Sequence, residues 1–175
     1  MSESVDGVNY NFVTTNSKTV NVVNNQAFFG NVSIKQGTVT NMSYLVDSTA
    51  NPNYVFKIPN TNVDTNTLEV TVQTSSTNNT SQTYTLATNY LSLSNDSAVY
   101  FLQEGVDGYY EIYFGNNVLG KQLVDGNIVK MSYLTSSGVS SYQANSFILM
   151  NSVGGYSNTT VQSVTAATQG SNKES

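Results

Sequence analysis

Polar and apolar residues alternate along most of this chain with the period of a β-strand, and no window sustains the three-and-four apolar spacing of an amphipathic helix. The pattern predicts an all-β fold of antiparallel sheets and hairpins. In VNYNFV (8–13) the residues Val8, Tyr10 and Phe12 share one face; in LEVTVQ (68–73) Leu68, Val70 and Val72 lie opposite Glu69, Thr71 and Gln73. AFFGNVSIK (27–35), TVTNMSYLV (38–46) and YVFKI (54–58) read as further strands, the first two joined by a turn at Gly37. SFILM (146–150) and TTVQSVTAAT (159–168) add two more, and AVYFLQ (98–103), apolar on both faces, predicts a central strand.

Turn chemistry separates these runs. VDSTANPN (46–53), IPNTNVDTNT (58–67) and TSSTNNTSQT (74–83) are rich in residues that cap their own backbone or accept positive φ. The tract 74–83 reads as a solvated hairpin tip more readily than as a recognition loop. In YYEIYF (109–114) Tyr110, Ile112 and Phe114 face one way and Tyr109, Glu111 and Tyr113 the other; in NIVKMSYL (127–134) Val129, Met131 and Tyr133 oppose Ile128, Lys130 and Ser132. These two strands are expected to pair, with Gly115, Gly120 and Gly126 supplying the turns between them. Residues 135–145 read as a flexible connection. A break at 88–97 divides the chain into two small β subdomains, 1–88 and 89–168, followed by a flexible tail at 169–175.

Composition narrows the function. Charged residues are 10% of the 175, against about 25% in ordinary domains, and polarity comes from Asn, Ser and Thr instead. Twelve Tyr, seven Phe and a net charge of only −5 argue for a folded chain and against disorder. There is no Arg, and Lys18, Lys35, Lys57, Lys121, Lys130 and Lys173 are scattered, so nucleic acid is not an expected partner. No apolar run approaches the roughly 18 residues of a membrane span, and no membrane partner is expected. The Asn-X-Ser/Thr triplets at Asn31, Asn41, Asn78, Asn79, Asn95 and Asn158 are the number that chance gives in such a chain.

The absence of His and Cys removes the Ser-His-Asp triad, the cysteine nucleophile and the usual zinc ligands. Carboxylates remain, and Glu104, Asp107 and Glu111 are their closest cluster. A glycosidase needs two facing each other across a sugar, roughly 5–9.5 Å apart. Asp107 reads more simply as the start of an Asp-Gly turn, and the cluster lacks the ligand spacing of an EF-hand loop. FGNNVLGK (114–121) fails the phosphate-loop order, because Gln122 follows Lys121 and no helix follows. The tyrosines, at strand spacing, read as core and sheet-face residues before they read as a sugar platform. No catalytic residue, cofactor, metal ligand or small-molecule substrate is expected.

The segment VYFLQEGVDGYYEIYFGNNVLGKQLVDGNIVKMSYLTSSG (99–138) resembles baseplate wedge proteins of contractile-tailed phages of the T-even type, in the baseplate J-like family. The ordered features are Glu104, Gly108, Phe114 with Gly115, Gly120 with Lys121, Gly126 with Asn127, Gly138 and Asn145. The departure is Asn116 and Asn117, where Asp-Gly is common; Asn also accepts turn geometry. Upstream, FKIPNTNVDTNTLEVTV (56–72) is similar to the family's Ile-Pro-Asn and Asp-Thr-x-x-Leu-x-Val signature, and downstream AATQGSNKES resembles the lead into a partly helical region. The resemblance runs from about residue 8 to the end and implies that the chain is an excerpt of a longer protein.

What the resemblance implies is a structural part of the virion's tail baseplate, assembled in the host bacterial cytoplasm by packing against other wedge subunits and copies of itself. The residues expected to carry fold integrity are Phe114, Gly115, Gly120, Gly126, Asn127 and Tyr133. The alternative from the residues alone is a carbohydrate-binding or adhesin-like β module. A third reading, a carbohydrate-active enzyme, rests on Glu104, Asp107 and Glu111.

Overall fold

The computed structural model describes residues 1–5, 7–136, 144 and 146–161. They form ten strands: β1 (Ser2–Val5), β2 (Val8–Thr14), β3 (Ile34–Gln36), β4 (Thr38–Leu45), β5 (Phe56–Lys57), β6 (Val63–Gln73), β7 (Ser81–Leu86), β8 (Val99–Glu104), β9 (Tyr110–Phe114) and β10 (Ile128–Thr135). The only helical element among the described residues is a 3₁₀ turn at Tyr90–Ser92, so the chain is all-β as the alternation predicts. Two compact units result, Val39–Leu134 and Met1–Thr38 with the chain from Thr135.

In the smaller unit β1, β2 and β3 form an antiparallel sheet in that order. Its core is Tyr10 and Phe12 with Ala144 and Phe147, and the Phe12 and Phe147 rings meet edge to face at 4.8 Å. Two two-residue turns recur in this unit, at Asn24-Asn25 (φ 49° and 62°) and Gly154-Gly155 (φ 58° and 86°), each closed by one bridge, Val23 to Gln26 and Val153 to Tyr156. Positive φ at both central residues is the geometry that Asn and Gly tolerate.

The larger unit is a seven-stranded sheet in the order β4-β10-β6-β7-β8-β9-β5. Leu68, Val70 and Val72 of β6, Ile112 and Phe114 of β9, and Val129, Met131 and Tyr133 of β10 face a single buried core with Phe56, Ile58, Tyr84 and Tyr100. Opposite them lie mostly polar residues, Glu69, Thr71, Glu111, Lys130 and Ser132 among them, so side-chain period fixes which way these strands turn. The sheet curls until its two edge strands approach. The Tyr44 hydroxyl on β4 donates to the Lys57 carbonyl on β5 at 2.5 Å, and its ring lies 5.4 Å from Phe56. A side chain bridges this seam, where elsewhere backbones pair.

Several expected pairings differ. β9 and β10 are not neighbours: β9 lies between β8 and β5, while β10 lies between β4 and β6. Both strands bury one face into the same core, and alternation specifies a face without specifying a partner. Gly37 does not make a hairpin, because β3 and β4 belong to different sheets. Of 27–35 only Ile34–Lys35 lies in a strand, and Phe28 is 74% exposed. Likewise 54–58 contracts to Phe56–Lys57, and 146–150 to one bridge between Ser2 and Ile148. Thr159–Val161 is not strand, and 162–168 lies outside the described residues, as do Gly138, Asn145 and the tail 169–175.

AVYFLQ does take an interior position, as β8, with Val99, Tyr100 and Phe101 all buried. Of the 74–83 tract, residues 74–80 form the hairpin tip between β6 and β7 and 81–83 already belong to β7; the tip is held by the buried Gln73, whose amide donates to Ser75 O at 2.6 Å and Asn79 Oδ1 at 3.1 Å. β7 and β8 then pair in parallel through Thr85 with Val99 and Leu86 with Tyr100, so residues 88–97 connect two strands of one sheet.

Candidate functional site

The stretch from Phe114 to Tyr133 crosses one end of the large sheet. Phe114 closes β9 and inserts its ring edge-to-face against Phe56 (5.9 Å) and Tyr84 (5.4 Å). The chain then doubles back so tightly that a Cβ built on Gly115 would lie 2.1 Å from Gly120 C and 2.2 Å from Gly120 O. Gly120 itself has φ +83°. Two glycines are therefore in backbone contact, one required by space and the other by dihedral as well.

Asn116 and Asn117 build the tip between them. The Asn116 carboxamide oxygen accepts from the Val118 and Leu119 amides, both at 3.1 Å, as an aspartate would. Asn117 adopts φ 62° and holds Gln122 through both ends of its side chain. The departure from Asp-Gly thus sits in a turn whose demands Asn meets.

From this tip the segment binds its surroundings. Gly120 N donates to Ser94 O and Lys121 N to Ser97 O, both at 2.9 Å, and the Lys121 ammonium reaches Gln82 Oε1. Leu123 plugs the core at 2% exposure. A second turn at Val124–Asn127 needs Gly126 at φ +89°, and Asn127 fixes it: its oxygen accepts from Val124 N and its amide donates to Thr74 O, both at 2.9 Å. Asp125 accepts from the Ser48 amide and hydroxyl, and these bonds hold its pKa below the ordinary carboxylate range. Tyr133 follows in β10, buried, its hydroxyl 3.7 Å from Met42 Sδ and its pKa pushed up by desolvation.

The strap so formed leaves apolar side chains outside. Val118 is 71% and Val124 66% exposed, and on the neighbouring 88–97 loop, bonded to the strap at Ser94 and Ser97, Leu91 is 99% exposed. Sequence pattern missed these residues, because apolar residues within turn signals look like noise. Behind Leu91, Tyr90 stacks on Phe101 and Phe101 on Tyr113 at 5.6 and 5.1 Å along the outer face of the sheet.

Glu104, Asp107 and Glu111 are brought to the turn that joins β8 and β9, but each is engaged. Asp107 pairs with Lys57 at 2.5 Å, and the Lys57 ammonium lies 4.1 Å from the centre of the Tyr109 ring. The hydrogen bond from Lys57 lowers the Asp107 pKa and raises that of Lys57, the direction opposite to a general acid's requirement. Glu111 accepts from Gln103 across the β8–β9 ladder, and Glu104 is likewise partnered. Among the described residues no group of three or more acidic side chains is placed to hold a metal ion.

No curated protein matches the chain. The family model for the third domain of bacteriophage baseplate wedge protein gp6 matches residues 40–138, a span that nearly coincides with the compact unit Val39–Leu134. The large curled sheet and its glycine strap are thus the matched part, and the chain belongs to the family of the third domain of the bacteriophage baseplate wedge protein gp6.

Proposed function

We propose that this domain is an assembly part of the baseplate wedge, packing through sheet faces and loops against other wedge subunits and copies of itself, without catalysis. The observation that carries this reading is the agreement between the family match at 40–138 and one compact unit with a continuous core. Val118, Val124 and Leu91, on two cross-bonded loops, supply exposed apolar contact area of the kind that subunit interfaces cover. Asp107 and Glu111 serve local bonds in place of facing a substrate. The domain's place is the tail baseplate of the virion, built in the cytoplasm of the infected bacterium. Mass spectrometry of purified particles tests this: peptides of the chain in stoichiometric yield are expected, and their absence from intact particles overturns it.

A further inference from the structure

Val-Asp-Gly occurs three times in the chain, at 5–7, 106–108 and 124–126. An Asp-Gly bond is prone to react with itself, because no side chain on the glycine hinders its amide from reaching the neighbouring carboxyl. The amide nitrogen bonds to the Asp Cγ, its proton and the carboxyl hydroxyl leave as water, and a succinimide ring forms. Water then opens the ring. Opening at the main-chain carbonyl leaves isoaspartate, with the backbone rerouted through the former side chain. The water lost in the first step returns in the second, so no other reactant is consumed. The carboxyl reacts in its protonated form, since an ionised oxygen cannot leave.

Asp6 lies outside the described residues, and the large unit holds the other two sites. Both have Val before and Gly after, so a difference between them in the folded protein comes from structure. Asp125 is enclosed. Its Oδ1 accepts from the Ser48 amide at 2.8 Å and the Tyr54 hydroxyl at 3.3 Å, and its Oδ2 from the Ser48 hydroxyl at 2.6 Å. The attacking nitrogen, Gly126 N, donates to Val46 O at 2.9 Å. Leu123 on one side is sunk in the core, and Asn127 on the other is bonded to Val124 N and Thr74 O. Asp107 stands on an open turn instead. Val106 beside it is fully exposed, and the backbone bonds there, Gly105 N to Tyr109 O and Gly108 N to Gly105 O, stay within the turn. From outside the turn the Lys57 ammonium reaches Asp107 at 2.5 Å, but both side chains are nearly half exposed. So exposed a pair is weak, and a turn bonded mainly to itself opens at low free energy.

We propose that Asp107-Gly108 is a modification site at which the folded protein forms succinimide and accumulates isoaspartate, while Asp125-Gly126 is kept closed by Ser48, Tyr54 and the anchored strap. Lys57 acts as a positioning residue that slows the reaction at Asp107 by keeping its carboxyl ionised. The assembly reading above plays no part in this, and no result at these two sites bears on it.

Prolonged incubation of the folded 175-residue chain at neutral pH and physiological temperature tests it, with isoaspartate located by electron-transfer fragmentation of tryptic peptides. Cleavage after Lys121 puts the two sites on separate peptides. In urea, with the structure gone, both are expected to react at similar rates. In the folded chain isoaspartate is expected to form at Asp107 about tenfold or more faster than at Asp125, where several hydrogen bonds must open first. Lys57→Met, which keeps an unbranched stem, is expected to speed Asp107 severalfold and leave Asp125 unchanged. Ser48→Ala is expected to do the reverse, and circular dichroism checks that both variants fold. Equal rates at the two sites of the folded chain, a faster Asp125, or a folded variant that leaves its own site unaltered would each overturn the proposal. Should a variant fail to fold, the comparison of the two sites in the unaltered chain still decides.

Discussion

Replacing Gly115 by alanine sets a methyl group against backbone that is held in place. The new Cβ would lie 2.1–2.5 Å from the C, O and Cα of Gly120, where ordinary contacts begin beyond 3.4 Å, so one backbone must retreat by more than an ångström. Gly120 is anchored by its own amide to Ser94 O, by its carbonyl to Asn117 N, and through Lys121 N to Ser97 O. Each such bond is worth about 0.5–1.5 kcal/mol net. Losing or stretching these three puts the cost of Gly115→Ala at roughly 3 kcal/mol, well above the typical single substitution of about 1 kcal/mol. Gly126→Ala provides the contrast. Nothing lies within 4 Å of its added methyl, and only its φ of +89° is strained, a cost of roughly 1–2 kcal/mol. Urea titrations followed by tyrosine fluorescence measure both, provided that the slope of the transition is unchanged. Gly126→Asn should recover part of its loss, because Asn visits this region of φ, while Gly115→Asn should be at least as harmful as Gly115→Ala. Should Gly115→Ala cost no more than Gly126→Ala, the close approach of the two glycines would not be what holds the strap.

Tyr44→Phe keeps the ring against Phe56 and removes the hydroxyl that bonds Lys57 O. It should cost about 1 kcal/mol and speed amide exchange in β5 more than in β6. Asn127→Ala deletes bonds to Val124 N and Thr74 O; a loss of roughly 1–2 kcal/mol is expected by the same titration, since both backbone partners must find water. For pH, the Lys57 hydrogen bond sets the folded Asp107 pKa below its unfolded value. Its stabilisation is therefore complete above about pH 4 and is lost as pH falls through the depressed folded value. The raised pKa of Lys57 gives the mirror case, with stability present below its unfolded pKa and lost as pH rises through the folded one. Melting temperature should fall at both extremes, and Asp107→Asn should flatten both limbs; an unaltered profile would show that the pair adds nothing.

Faces were legible in the sequence where partners were not. Leu68, Val70 and Val72 turn inward as their alternation requires, and so do Ile112, Phe114, Val129, Met131 and Tyr133. Which strand lies beside which depends on long-range packing that a period of two does not encode. β9 and β10 look like the arms of a hairpin because glycine turns lie between them, yet that connection carries β9, at one side of the sheet, over to β10 at the other. Phe28 shows the converse: an apolar residue in a run of strand formers stays 74% exposed, and among the described residues no strand pairs along 27–33. β7, in SQTYTL, was hidden because only Tyr84 of its six residues is buried.

The same distinction applies to the strap. Glycine spacing announced turns, and Gly120 and Gly126 do occupy positive φ, but nothing in the spacing shows that Gly115, without positive φ, lies against the backbone of Gly120. That contact follows from where the strap must go. A chain leaving β9 on one side and entering β10 on the other has to cross the sheet end, and a path pinned at Ser94, Ser97, Val46 and Thr74 leaves no width for a side chain where it turns. Its bonds are spent inward on backbone and core, while Val118 and Val124 point out with nothing from the described chain to cover them. On the assembly reading proposed above, a loop ordered so thoroughly on one side and apolar on the other is suited to being met by another surface, because each anchored residue lowers the entropy cost of docking.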